Sequence, residues 1–277
     1  EEGELDRDCA MARGQGGEPG CCVHGGRAAL EMTKWFDTNY HYLVPEFEAD
    51  TVFNLSPARL LAEVDEALAL GHPVKPVLLG PLSFLYLGKS VEEGFDRLEL
   101  LDALLPAYRQ LLCCFKERGL GWVEIDEPIL GLDLPDAWRH AFEPDYHRLQ
   151  IPGLSVMLAT FFSPLAENTH LACRLPVAAL HLDLVRGAED LDGVLQWLPA
   201  HRELSLGLVD GRNLWRSDLD GALALARAVG ARRGGTLWLA PSCSLLHLTV
   251  SLADDEALDA ELRGWVAGAV ERLGELD

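Results

Sequence analysis

Seven short apolar runs, separated by stretches of helical periodicity, constrain this chain more than any other feature. The runs are Trp35–Val44, Pro76–Leu79, Trp122–Ile125, Leu154–Phe161, Ala179–Val185, Leu204–Val209 and Leu237–Ala240. Runs of this kind, short and without strict in–out alternation, suit strands covered on both faces, and such strands belong to parallel sheets. The segments between them carry helix signals. Ser56-Pro57 supplies an N-cap with proline at the first helical position, Leu60, Leu61, Val64 and Leu68 form a stripe, and Gly71 closes the segment. Leu98–Arg118 reads as a second helix with Gly119 just past its end, and Leu219–Val229 as a third. A fourth is expected over Asp254–Leu273, where Asp254, Asp255 and Glu256 would complement the positive helix start. Strand–helix repetition of this length admits a doubly wound sheet or a (β/α)8 barrel. No glycine-rich phosphate loop follows any run, which disfavours the dinucleotide-binding fold. The expected fold is therefore α/β, a (β/α)8 TIM barrel lacking its first strand, because seven runs leave the barrel one strand short.

Residues 1–30 hold Gly14, Gly16, Gly17, Gly20, Gly25 and Gly26 with Pro19 among them, and read as an irregular N-terminal segment; the barrel domain is expected over 31–277. Apolar residues make up 49% of the chain, enough for a sizeable core. No apolar stretch approaches the roughly 20 residues of a membrane span. The acidic start EEGELDRDC has no apolar run behind it and does not read as a secretory signal, so a cytoplasmic location is expected. A formal net charge of −21 argues against nucleic acid and against an anionic membrane surface. The seven cysteines are odd in number and show no C-x-x-C spacing, as reduced thiols without a metal role would. Lysine is scarce, with only Lys34, Lys75, Lys89 and Lys116, so a lysine in an unusual motif stands out.

In a (β/α)8 barrel the chemistry sits at the carboxyl ends of the strands. Those ends are polar here. Asp37, Asn39 and His41 alternate along the first run, Asp126-Glu127-Pro128 follows the third, and Thr160 ends the fourth. His181 and Asp183 punctuate the fifth, Asp210-Gly211-Arg212-Asn213 follows the sixth, and Ser242-Cys243-Ser244 the seventh. Each has a structural reading beside the functional one. Asp126 and Glu127 can cap a turn or meet a ligand; Asp210 and Arg212 can fix a loop by a salt bridge; Ser242 can satisfy backbone groups; His41 and His181 read first as interior histidines. Cys243 and His247 have the right atom types for zinc with Glu127 or Asp183, but the spacing of one helical turn is their only support.

The run Glu31-Met32-Thr33-Lys34-Trp35-Phe36-Asp37-Thr38-Asn39-Tyr40-His41-Tyr42 resembles the signature of the N-terminal half of cobalamin-independent methionine synthases. Lys75–Pro81 (KPVLLGP), Trp122–Pro128 (WVEIDEP), Leu208–Arg216 (LVDGRNLWR) and Ser242–His247 (SCSLLH) follow in the family's order, so the likeness runs from about residue 31 to the end. The resemblance implies two (β/α)8 barrels and transfer of a methyl group from 5-methyltetrahydropteroyl-polyglutamate to homocysteine without cobalamin. It puts a catalytic zinc, held by histidine, cysteine and glutamate, with homocysteine in the C-terminal barrel, which is expected to lie outside this chain as a partner. It gives the N-terminal barrel a part in holding the folate and its glutamate tail. Lys34 stands at the family's tail-binding lysine, a compact cation suited to a row of carboxylates. Asp126, Glu127, Asp210, Arg212 and Ser242 are the further binding candidates.

Two departures accompany the match. The family's first strand, with its glycine- and arginine-containing motif, is missing, which accounts for the count of seven; and Glu18–Ala29 differs from the family pattern. No catalytic residue and no metal ligand is expected in this chain, which is expected to be inactive alone. Two alternatives stay open: a non-catalytic folylpolyglutamate-binding module, and a distinct metal-dependent barrel enzyme using Asp126, Glu127, His181 and Asp183.

Overall fold

The computed structural model describes residues 2–14, 28–253 and 258–277. Its strands are β1 (Met32–Lys34), β2 (His41–Leu43), β3 (Glu46–Phe47), β4 (Val77–Leu79), β5 (Lys89–Ser90), β6 (Trp122–Asp126), β7 (Ser155–Thr160), β8 (Ala179–Asp183), β9 (Glu203–Val209) and β10 (Leu237–Pro241). Its α-helices are α1 (Glu2–Arg13), α2 (Ala58–Ala69), α3 (Pro81–Tyr86), α4 (Leu101–Glu117), α5 (Asp136–Arg148), α6 (Thr169–Arg174), α7 (Leu191–Trp197), α8 (Leu219–Arg233), α9 (Ala260–Trp265) and α10 (Ala269–Leu276). They form two compact units, one of Glu1–Val52 with Phe84–Leu101, the other of Phe53–Ser83 with Asp102–Asp277.

The larger unit is built on a six-stranded sheet in the order β4-β6-β7-β8-β9-β10, with every pair parallel. Register sorts its side chains by face. Val77, Glu124, Met157, Ala179 and Glu203 lie in one cross-strand row, and Leu79, Asp126, Ala159, His181, Ser205 and Trp238 in the next. The opposite face carries Val123, Ile125, Val156, Leu158, Leu180, Leu182, Leu204 and Leu206, all buried. Full burial of such a side chain contributes roughly 1.5–3 kcal/mol, so this apolar face, set against the surrounding helices, carries the core.

The sheet curls. At about 4.8 Å per strand, the edge strands β4 and β10 of a flat sheet would lie about 24 Å apart. Yet the Nζ of Lys75, just before β4, sits 5.4 Å from the centroid of the Trp238 ring on β10. Trp122 of β6 meets the same indole edge-to-face at 5.2 Å. Only a sheet bent toward closure brings those side chains together, and this is six strands of a barrel-type α/β fold.

Six of the seven apolar runs are these strands; the first is not. Trp35–Val44 belongs to the smaller unit, where β1 and β2 pair antiparallel with Lys34 opposite His41. Phe36 takes a left-handed φ of 52°. Thr38 Oγ1 donates to Trp35 O at 2.7 Å and accepts from Tyr40 N–H at 3.1 Å, folding 35–40 into a turn. Asp37 and Asn39 therefore lie in a hairpin turn, and His41 on an exposed strand, rather than along a barrel strand. β3 and β5 form a second, parallel pair in this unit.

Three further expectations change. Glu2–Arg13 is helical, not irregular; its residues are mostly good helix formers, and the glycine-dense stretch starts only at Gly14. The rest of that stretch, 15–27, lies outside the described residues, as do Asp254, Asp255 and Glu256. α2 starts at Ala58 with Pro57, not Ser56, at the cap position and no side-chain cap. Gly71 and Gly119 do close their helices, both with φ of 79°. The expected last helix is two, α9 and α10. Val266 breaks off to bridge Trp215, Ala267 N–H donates to Leu214 O at 2.7 Å, and Arg216 N–H to Trp265 O at 2.8 Å. No helix among the described residues is long and apolar enough to cross a membrane.

Candidate functional site

The carboxyl ends of β6 to β10 gather Asp126, Glu127, Thr160, His181, Asp183, Asp210, Arg212, Ser242, Cys243 and His247 in the larger unit. Lys34 is exposed on the hairpin of the smaller unit.

Glu127 is fully buried just past β6. Its Oε2 accepts Ser83 N–H at 2.7 Å and Ser83 Oγ–H at 2.5 Å; its Oε1 accepts Leu82 N–H at 3.3 Å and the Tyr146 hydroxyl at 3.1 Å. The carboxyl thus ties β6 to the start of α3 and to α5. Gly80 is obligatory beneath it, since a Cβ there would lie 2.1 Å from the Glu127 carboxyl. Burial outweighs the four hydrogen bonds and pushes Glu127 up to about 7.

Asp126 points to the opposite face, beside Glu124. Its Oδ1 is buried and accepts no hydrogen bond. Burial first, then the neighbouring Glu124 carboxylate, holds Asp126 well above the usual carboxylate range. Lys75 supplies the positive charge: it is ion-paired to Glu124, donates to Met157 Sδ at 3.3 Å, and lies over Trp238, whose indole N–H donates to Glu203.

His181 is an interior histidine. Nδ1 lies 2.9 Å from Ser205 Oγ and Nε2 3.3 Å from Ser242 O, and burial lowers its pKa. Asp183 uses both oxygens on backbone amides: Oδ2 accepts Phe162 N–H at 3.0 Å, and Oδ1 accepts those of Val185 and Arg186 at 3.0 and 2.9 Å. Ser242 Oγ accepts Gly211 N–H at 3.2 Å, and Asp210 Oδ1 accepts the Arg212 N–H at 2.8 Å. Asp210 therefore turns its loop through a backbone bond, and lines a cleft of about 340 Å³ with Asn213, Trp215, Arg216 and Asp218. The Arg212 guanidinium lies 5.0 Å from the Phe162 ring centroid, and the His247 ring 5.5 Å.

Zinc does not fit these residues. Among the described residues no three His, Cys, Asp or Glu side chains converge as a metal requires. Glu127 and Asp183 are saturated by donors, and burial pushes the Cys243 thiol up to about 12.

Sequence reasoning missed Lys75, Glu124 and Phe162. The rarity of lysine and the position of Lys75 in KPVLLGP signalled the first. Glu124 needed the strand register, and nothing in the sequence marks Phe162.

A family model described as the cobalamin-independent synthase N-terminal domain matches residues 1–233. A 5-methyltetrahydropteroyltriglutamate–homocysteine methyltransferase from Saccharophagus degradans is 52% identical over 279 residues, covering 100% of this chain and 36% of that protein. The chain thus spans about a third of the length of that relative. Among solved structures, a B12-independent methionine synthase from a Shewanella species in complex with selenomethionine superposes with a TM-score of 0.63 at 10% identity, over 88% of this chain and 72% of that one. A putative vitamin-B12 independent methionine synthase from Listeria monocytogenes gives 0.56 at 15% identity, over 73% and 67%. A methyltransferase from Methanosarcina mazei gives 0.55 at 13%, over 78% and 70%. At these identities the structural likenesses bear on the fold.

Proposed function

The chain belongs to the family of cobalamin-independent synthase N-terminal domains, and we propose that it supplies folate-tail binding to an enzyme making methionine from homocysteine and 5-methyltetrahydropteroyl-polyglutamate. The observation that carries this reading is the 52% identity along the whole chain to a methyltransferase named for its triglutamate substrate. Lys34 grips the tail: its ammonium is exposed on a hairpin held by the Trp35–Tyr40 turn. In the larger unit, taken by itself, Arg212 and Asp126, the latter with an oxygen unused by the protein, are the weaker candidates for folate contact. Glu127, Asp210 and Ser242 act through the backbone groups they hold.

The zinc and homocysteine chemistry belongs to a C-terminal barrel that acts as partner, and the chain alone does not transfer methyl groups. A distinct metal enzyme built on Asp126, Glu127, His181 and Asp183 is disfavoured, because Glu127, Asp183 and His181 are each engaged with separate partners. A cytoplasmic location goes with this reading.

Calorimetric titration with 5-methyltetrahydropteroyl-triglutamate tests it. Lys34→Ala is expected to weaken binding about tenfold, close to 1.4 kcal/mol. Equal affinity in parent and variant removes Lys34 from the role.

A further inference from the structure

The loop from β9 to α8 is clamped by its main chain. Arg216 N–H donates to Trp265 O at 2.8 Å and Ala267 N–H to Leu214 O at 2.7 Å, while the buried Arg272 guanidinium donates to Asn213 O, Trp215 O and Ser217 Oγ. Asn213 Oδ1 also accepts the Trp215 N–H at 3.0 Å. With the backbone fixed in this way, Trp215 stays 61% exposed and the Arg216 side chain 44%. Both line the cleft of about 340 Å³ formed by the ends of β8 and β9 and the start of α8. Leu184, Leu208 and Leu225 give that cleft an apolar lining. A concave apolar surface with a few fixed polar groups is the usual form of a small-molecule site.

The charges around the cleft are opposite in sign. Arg216 has one ion contact among the described residues, 3.8 Å to Glu275 Oε1, and that carboxylate is already held at 2.7 Å by Arg272. At 3.8 Å the contact is too long for a hydrogen bond, so the guanidinium fork keeps its paired donors for another carboxylate. Asp210 spends only Oδ1 among the described residues, on the Arg212 N–H at 2.8 Å. Asp218 caps α8, with Oδ1 on the Gly221 N–H at 3.1 Å, and the positive helix start offsets its charge. One cation and one anion are thus left facing the cleft, above an apolar lining. A ligand with a carboxylate alone would cover Asp210 without a partner, and one with an amine alone would do the same to Arg216; each omission is unfavourable.

We propose that this cleft binds a free α-amino acid with an apolar side chain. Arg216 takes its carboxylate, Asp210 its ammonium, and Trp215 with the three leucines its side chain. Methionine belongs to that class, so under the function proposed above the cleft is a product-binding site apart from the chemistry; the site itself does not rest on that function.

Calorimetry on this chain with L-norleucine tests it, beside N-acetyl-L-norleucine, which has no ammonium, L-norleucinamide, which has no carboxylate, and γ-linked triglutamate. Norleucine is expected to bind, and each blocked form about tenfold more weakly. Arg216→Gln should weaken norleucine about tenfold and leave the amide unchanged. Asp210→Asn, whose Oδ1 still takes the Arg212 N–H, should weaken norleucine by a similar factor and leave the N-acetyl form unchanged. Trp215→Leu should weaken all three severalfold. Equal urea midpoints show that binding, not folding, has changed, and the blocked probes test the parent alone if a variant does not fold. The site is overturned if the parent takes no norleucine, if both blocked forms bind as tightly as norleucine, or if Arg216→Gln and Asp210→Asn bind it as the parent does. Triglutamate binding that Arg216→Gln abolishes, without norleucine binding, makes the cleft part of the folate-tail site and overturns the proposal. Norleucine binding without triglutamate binding leaves the site standing and removes the folate-tail reading.

Discussion

Replacing Glu127 by glutamine should reverse part of the pH dependence of stability. Glu127 titrates at about 7 in the folded chain against an ordinary value of 4.5. The sign follows from the direction. A carboxyl whose folded pKa is raised contributes most stability below its unfolded pKa, and that contribution is lost as pH rises through the folded value. A displacement of that size corresponds to a total loss of about 3 kcal/mol. Glutamine carries no charge to desolvate. Its amide oxygen can take the two Ser83 donors, and its NH2 group can donate to the Tyr146 oxygen once that hydroxyl turns. The long Leu82 N–H bond of 3.3 Å is lost, at about 1 kcal/mol. Between about pH 5.5 and about pH 8 the stability of Glu127→Gln relative to the parent should therefore rise by about 2 kcal/mol. Both conditions lie above the pI of 4.7, where the chain stays charged. Urea denaturation followed by tryptophan fluorescence measures it, and the Asp126 contribution differs between the two proteins only through the Glu127 charge, the least of its causes. A difference that stays constant with pH, or moves against the variant, would mean that Glu127 is an ordinary ionised carboxylate and that burial does not dominate its environment.

Gly80→Ala forces a methyl group to within 2.1 Å of the buried Glu127 carboxyl, so the urea midpoint should drop by an amount equivalent to roughly 1–3 kcal/mol; a neutral effect contradicts the close packing. Lys75→Met leaves Glu124 beside Asp126 without its cation; since both partners keep some solvent contact, the loss should be about 1–2 kcal/mol, with a change in tryptophan emission from Trp122 and Trp238, and Glu124→Gln in the same chain should restore part of it. Arg272→Met removes a wholly buried guanidinium that donates to Asn213 O, Trp215 O, Ser217 Oγ and Glu275. Thermal melts should show a destabilisation of about 3–5 kcal/mol, and a surface-like response would be incompatible with the clamp.

The six strands of the sheet were legible because strands covered on both faces are apolar almost throughout, and their polar carboxyl ends were legible for the same reason. The first run misled because Trp35, Phe36 and Tyr42 supply apolar character to a hairpin. Its polar residues 37, 39 and 41 were the better signal, since Thr38 closes a turn through its own hydroxyl. Asp126-Glu127 announced a site, but not that two adjacent carboxyls face opposite sides of the sheet with different partners. Lys75 and Glu124 are 49 positions apart, so their pairing needed the register of β4 on β6. The fold of Phe162 arises from a carboxylate 21 positions away, beyond the reach of any local rule.

The Lys75–Trp238 contact gives the curled sheet a mechanical asymmetry. Lys75, Trp122 and Trp238 all stand at the entry ends of their strands, so the two free margins of the sheet are cinched at the base. Among the described residues neither β4 nor β10 has a strand beyond it, so the sheet is like a set of staves with one open seam, and side chains tie that seam at the base. Spacing between neighbouring staves is held by main-chain bonds, whereas the aperture between the first and last is the soft coordinate. Groups on adjacent strands, such as Asp183 and Phe162, keep their separation whatever the rim does; Leu79 and Ser242, at the two margins, do not.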